Sequence, residues 1–308
     1  MSQVAADPRV ELAERIARLK RERNAVILAH NYQLGEVQDV ADFVGDSLEL
    51  SRKAAATEAE VIVFCGVMFM AETAKLLSPE RTVLIPDPRA GCPMCDMAPA
   101  EAVRKRKADL PGVPVVAYVN TTAAVKAEAD ICCTSANAAA VVNSLPEQRL
   151  LFLPDRNLGL WVQRHTDKEV ILWDGYCPTH QRIRAQDISR LKAQHPGAPV
   201  VVHPECTPEV IALADEVLST GQMVRWARET PAREVIVGTE VGLIHRLQKD
   251  SPDKRFLPVT LLTTCPNMKR ITLEKVAWAL EDMEHPVEVP EDIAGPARRA
   301  IERMLEVV

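Results

Sequence analysis

The chain has 308 residues, enough for two or three compact units without burial becoming limiting. With 47% hydrophobic and 26% charged residues it has the composition of a soluble globular protein, and a net charge of −6 gives no general affinity for nucleic acid or an anionic membrane. The longest apolar run, Val61 to Ala71, is too short for a bilayer, which needs roughly 20 such residues.

In chain order, the N-terminus has no basic region followed by an apolar one and so does not read as a secretory signal. It reads as a helix, with Asp7 as N-cap, Pro8 at the first helical position, and Val10, Leu12, Ala13, Ile16 and Leu19 on one face. AVILAHN follows as a buried strand, then QDVADFVGDSLELSRKAAA as a helix interrupted or restarted at Gly45-Asp46-Ser47. VIVFCGV reads as a strand, MFMAETAKLL as a helix, and TVLIPD as a strand leading to AGCPMC. Strands alternating with helices of about ten residues predict βαβ units and parallel sheets.

The same order recurs twice. VVAYVN, TAAVKAEA, DICCTS, ANAAAVVNSL, LLFLPD, NLGLWVQRHT and EVILWDGYC form the second series. VVVHPE, PEVIALA, EVLST, a helix near Gly221 to Arg228, EVIVGT, EVGLIHRLQKD and FLPVTLLTTC form the third. The stretches APAEAVRKRKADLPGVP and RIRAQDISRLKAQHPGAP between them read as a helix and a Pro-Gly turn. ITLEKVAWALEDM and PARRAIERMLEVV read as terminal helices packing back on the first unit.

Each series opens on a polar residue, passes a hydroxyl, and closes on a cysteine: His30, Ser47, Cys92; Asn120, Ser135, Cys177; His203, Thr220, Cys265. The spacings are 17, 15 and 17 residues to the hydroxyl, then 45, 42 and 45 to the cysteine. Self-similarity on this scale predicts an α/β protein of three αβα sandwich domains with parallel sheets, related by a pseudo-threefold axis around a central active site. The units are 1–97 with 268–308, 98–180, and 181–267. Ligands of parallel sheets bind beyond the carboxyl ends of strands and at helix starts, where these residues fall.

Eight cysteines without an export signal argue for reduced thiols, some of them metal ligands, in the cytoplasm. Three converging thiolates leave three readings open: zinc, a 4Fe-4S cluster with one iron free as a Lewis acid, or inert buried thiols. Repeat spacing favours Cys92 over Cys95 as the first ligand. Cys65 reads as core, Cys132 and Cys133 allow one inward residue at most, and Cys206, following HPE, reads equally as a neighbour of the site or a chance placement. His203 and Glu205 stand two apart at a strand end, suited to proton transfer. Ser47, Ser135 and Thr220 suit either helix capping or an anion, and three helix starts around one cavity predict a polyanionic substrate. Arg89, Lys126 and Lys269 are candidate sources of further positive charge.

The ordered motifs ILAHNYQ, ADFVGDSLELSRKA, GVMFMAETAKLL, AGCPMCDM, YVNTTA, CTSANA, PDRNLG, GYCPTHQ, VVVHPEC, STGQM, GTEVGLIHRL and TTCPNMK run from about residue 24 to 280. In them the chain resembles the quinolinate synthase family. The resemblance implies condensation of iminoaspartate (iminosuccinate) with dihydroxyacetone phosphate to quinolinate, for NAD biosynthesis. It also implies a 4Fe-4S cluster on Cys92, Cys177 and Cys265 and a functional link to L-aspartate oxidase. By the same resemblance His30, Ser47, Tyr118, Val119, Asn120, Ser135, His203, Pro204, Glu205 and Thr220 hold substrate. Tyr32 takes part in catalysis with His203 and Glu205, and His180 lies near the cluster loop. TTCPNMK carries one cysteine, so the CxxCxxC of some relatives is not expected here.

Overall fold

A computed structural model describes residues 8–307. The first helix, Pro8–Glu22, buries only Ile16 and Leu19, while Val10 stays 53% exposed; Asp7 lies outside the described residues. Twelve strands then form three parallel sheets of four. The first unit contributes β1 (Ala25–His30), β2 (Phe43–Gly45), β3 (Val61–Cys65) and β4 (Thr82–Leu84). The second contributes β5 (Val115–Tyr118), β6 (Ile131–Cys133), β7 (Arg149–Leu153) and β8 (Glu169–Leu172). The third contributes β9 (Val200–Val202), β10 (Glu216–Val217), β11 (Glu234–Gly238) and β12 (Arg255–Pro258). The order repeats: β2-β1-β3-β4, β6-β5-β7-β8 and β10-β9-β11-β12. The chain is thus α/β with three αβα units, as the repeat predicts.

A helix does restart at Ser47 (Ser47–Ala56), but the residues before it form a separate helix, Gly35–Val40, and the edge strand β2 rather than one continuous helix. A clamp common to all three units explains this strand. Asp42, Asp130 and Asp215 each stand just before the second strand, and their carboxylates accept from Ile27, Val115 and Val200 N–H at 2.8 Å. Their own N–H groups donate to the carbonyls of those same residues at 2.9, 2.9 and 2.8 Å. One side chain therefore pairs the strand and sets its register, which short strands with little apolar pattern do not set alone.

The first and second units share one continuous apolar core, running from Val26 and Phe64 through Val116 and Phe152. Of the terminal helices, Leu273–Asp282 packs on the first unit against Pro8–Glu22, as expected. Glu291–Glu306 does not: it lies chiefly against Ala123–Glu128 and β6 of the second unit. Its Ala297, Ala300, Ile301 and Met304 close the core that the two units share. The third unit keeps separate cores on the two faces of its own sheet. Among the described residues, no helix is long and apolar enough to cross a membrane.

Replacing Asp215 by alanine leaves the Val200 N–H unpaired inside the sheet and should cost about 1–3 kcal/mol. Denaturant unfolding checks this; an unmoved midpoint would remove the clamp's structural role.

Candidate functional site

The carboxyl ends of the three sheets meet at one cavity of about 200 Å³. Cys92, Cys177 and Cys265 all line it and are half-buried, whereas Cys65, Cys95, Cys132, Cys133 and Cys206 are buried. A sequence signal separates the same three: each is followed by proline, and no other cysteine is. The proline opens a helical turn closed by Asp96, Gln181 and Lys269 N–H donating to the carbonyls of Cys92, Cys177 and Cys265 at 3.4, 3.0 and 3.3 Å. Proline suits this first position because its missing N–H would have no partner there.

Two of the cysteine loops are tied to the end of the third strand of their sheet. Asp155 accepts from Cys177 N–H at 3.1 Å, and Glu240 from Cys265 N–H at 2.9 Å. At Gly175 a Cβ would lie 2.3 Å from the Pro154 carbonyl, so only glycine lets the Cys177 loop pass there.

A network of buried polar groups meets the thiols at Cys177. His180 Nδ1 is 2.7 Å from Glu205 Oε2 and 3.2 Å from Cys177 Sγ. Its Nε2 is 2.9 Å from the Thr239 hydroxyl, which is 2.6 Å from the Tyr32 hydroxyl. The His180 and His203 rings stack at 4.7 Å, and His203 Nε2 reaches Ser135 Oγ at 3.2 Å. His203 Nδ1 accepts from Glu205 N–H at 3.3 Å, and His30 Nδ1 from Tyr32 N–H at 3.1 Å. Each ring, when neutral, therefore keeps its proton on Nε2.

Burial pushes His30 and His203 down to about 3, against the opposing charge of Glu205. For Glu205, burial opposes ionisation, but His180, His203 and Tyr118 outweigh it and hold the carboxyl at about 2. His180 is the nearest of these groups, at 2.7 Å, and the first of the influences that lower Glu205. Burial and the Glu205 charge both raise Tyr32 and Tyr118 well above the ordinary phenol range.

His30, Tyr32, Ser47, Tyr118, Asn120, Ser135, His203, Glu205 and Thr220 line the cavity with the three cysteines. Val119 does not: it borders a smaller adjoining void with Ser47 and Phe69. Pro204 is buried in the turn between His203 and Glu205 and does not reach the cavity either. Ser47 and Thr220 are not caps. The caps are Asp46 and Ser219, whose side chains take the N–H groups of Leu48, Glu49 and Gln222 and bond to one another at 3.0 Å. The Thr220 hydroxyl accepts from Asn31 at 3.0 Å.

The expected cations are elsewhere. Arg89 is exposed and paired with Asp87. Lys126 is fully buried and bonded to the Thr121 carbonyl. Lys269 stands behind the wall, paired with Glu240 and bonded to the Tyr32 carbonyl. The cation that does line the cavity is Arg182, which sequence reading missed together with Thr239 and the apolar lining of Phe69, Met70, Met94 and Met268. Cys206 instead points to the Gly238 carbonyl at 3.5 Å.

The donor set fits a sulfur-ligated group. Three accessible thiols come from three units, no fourth cysteine lines the cavity, and methionines and prolines surround them. Cys177, His180 and Glu205 also bring ligand atoms within 4.8 Å of one another. The Asn120 Oδ1 atom is buried with no hydrogen-bond partner, on a residue that lines the same cavity.

Both neutral histidines regain an ordinary value near 6.5 on unfolding, so the unfolded chain holds more protons between pH 6.5 and about 3. The stability from their burial is complete above pH 6.5 and falls as the pH drops toward 3. His30→Asn should reduce the slope of stability against pH in that window by about one proton. Denaturant midpoints across the window measure it, and an unchanged slope would contradict the assignment.

Comparison with known proteins follows the geometry. Residues 14–306 match the family described as Quinolinate synthetase A protein. The quinolinate synthase of Dehalococcoides mccartyi (strain CBDB1) is 60% identical over 297 residues, 96% of this chain and 98% of the relative. That of Geobacter sp. (strain M21) is 56% identical over 292 residues, 95% and 96% of the two chains. That of Methanoregula boonei is 55% identical over 294 residues, 96% and 97% of the two chains.

Proposed function

Because the chain is an enzyme that belongs to the Quinolinate synthetase A protein family, we propose that it condenses iminoaspartate with dihydroxyacetone phosphate, releasing phosphate and water, to give quinolinate. The observation that carries this reading is the meeting of three half-buried thiols, one from each unit, with an unpartnered Asn120 Oδ1 in one cavity. NAD biosynthesis, supply of the imine by an L-aspartate oxidase, and a cytoplasmic setting belong to the same proposal. So do the unit boundaries 1–97 with 268–308, 98–180 and 181–267, with the last helix bridging the first two units.

Cys92, Cys177 and Cys265 would hold a 4Fe-4S cluster, which when bound supplies a Lewis-acidic iron free of cysteine. The hydroxyls of Ser47, Ser135 and Thr220 and the His30 imidazole bind the substrate carboxylates and phosphate, with Arg182 at the mouth. Neutral His30 and His203 donate from Nε2. Asn120 receives a substrate N–H or O–H on its free oxygen. Tyr32, Thr239, His180 and Glu205 form a continuous hydrogen-bonded line, with Tyr32 to Thr239 at 2.6 Å, Thr239 to His180 at 2.9 Å and His180 to Glu205 at 2.7 Å. This line moves the proton lost from the enamine carbon and returned to departing oxygens. In it His180, rather than His203, joins Tyr32 to Glu205; His203 is held toward Ser135. The surrounding methionines and Phe69 keep water from the imine.

A second reading rests on Cys177, His180 and Glu205 as ligands of one metal ion of the zinc type. Metal counting separates the two. Anaerobic reconstitution should give about four irons and four sulfides per chain. Cys95→Ser should leave that content intact and Cys265→Ser should abolish it. One zinc and no iron would overturn the cluster. In the assay with iminoaspartate generated in situ, Tyr32→Phe should lower turnover roughly 100-fold. Full cluster content without quinolinate would overturn the reaction.

A further inference from the structure

A second concavity, of about 300 Å³, opens at the seam of the first and third units. Four cations from three helices converge on it: Lys53 from Ser47–Ala56, Arg225 and Arg228 from Thr220–Glu229, and Arg246 from Leu243–Asp250. Two carboxylates answer them. Glu49 takes Arg225 at 3.0 Å, and one oxygen of Asp250 takes Arg228 and Arg246, each at 2.7 Å. Lys53 sits 4.3 Å over the Phe43 ring and pairs with no carboxylate among the described residues. Asp46 brings a third carboxylate against Gly221 in the pocket wall, so the pocket carries one surplus positive charge in a chain whose net charge is −6.

On a convex surface such charges would be a solvated face. Here the walls are protein, which focuses the field, and guanidinium forks match the oxygens of phosphate and carboxylate groups. The floor adds a second observation. Asn31, buried to 1% exposure, lines this pocket, and its amide donates to the hydroxyl of Thr220, which lines the central cavity. One hydrogen-bonded pair, one residue from each unit, stands between the two spaces.

We propose that this basic pocket binds a small dianion, a phosphate monoester or a dicarboxylate, and is where the anionic substrates of the central cavity first dock. The docking role rests on the reaction proposed above; the dianion site does not.

The test uses the whole chain and two unreactive probes, glycerol 3-phosphate and succinate, titrated calorimetrically at low ionic strength. A Ser47→Ala, Ser135→Ala background weakens the central cavity's own contribution. Adding Lys53→Gln with Arg225→Gln should weaken at least one probe about tenfold, while Lys53→Arg with Arg225→Lys should retain it, and added salt should weaken it. The probe that is lost identifies the source of the dianion. Equal binding of both probes with and without the glutamines, or equal loss in the charge-conserving pair, overturns the site. For docking, kcat/KM of the otherwise wild-type chain should fall with salt, and the glutamine pair should flatten that slope. An unchanged slope overturns the docking role. Failure of the wild-type chain to make quinolinate would instead overturn the reaction, with the probe titrations still deciding the site.

Discussion

A carboxylate held ionised out of water, that of Glu205, dictates the arrangement around it. A charge at 3% exposure is tolerated only with close partners, and each partner is recruited from a different place. His180 reaches it from the loop that follows Cys177, Tyr118 from the end of β5, and Asn120 at 3.5 Å from just beyond. The Glu205 carbonyl receives Asn157 at 3.1 Å. The second unit thus supplies nearly everything that makes this third-unit residue possible. The His203 stack and the Thr239 bridge to Tyr32 both meet at His180.

The repeat was legible because it is written in sparse, chemically distinctive residues. The opening polar residue, the hydroxyl and the cysteine recur at nearly constant spacings in all three series. Strands such as Val61–Cys65 were legible because they are apolar along their whole length, as strands buried on both faces must be. β2 was not, since Phe43 is exposed and three residues carry no period. What holds it is Asp42, and an aspartate making two bonds to a residue fifteen positions back leaves no local mark.

Site residues chosen for charge fared differently from those chosen for position. Residues at strand ends face the cavity because a parallel sheet aims all its carboxyl ends one way. Lys126 and Arg89 were picked on charge alone; one is absorbed by a backbone carbonyl in the core and the other by Asp87 outside it. Thr239 and Asn31 act by connecting other side chains across units, and a connection of that kind has no signature within either segment. Cys95 is buried against Cys92, while Cys92 is half-buried and lines the cavity.

The division of the apolar core has its own consequence for how the molecule comes apart. The first and second units are welded by a single core that the last helix seals, whereas the third unit has two clusters of its own, reached from its neighbours by Trp161 and Tyr32. It meets its neighbours largely through polar bonds, Asn31 to Thr220, Asp46 to Ser219 and Ser135 to His203. Pulling the third unit away leaves its two clusters largely whole, while parting the other two would tear a continuous interior. On that division the third unit should open before the joined pair, and amide exchange would find the boundary running through the middle of the cavity.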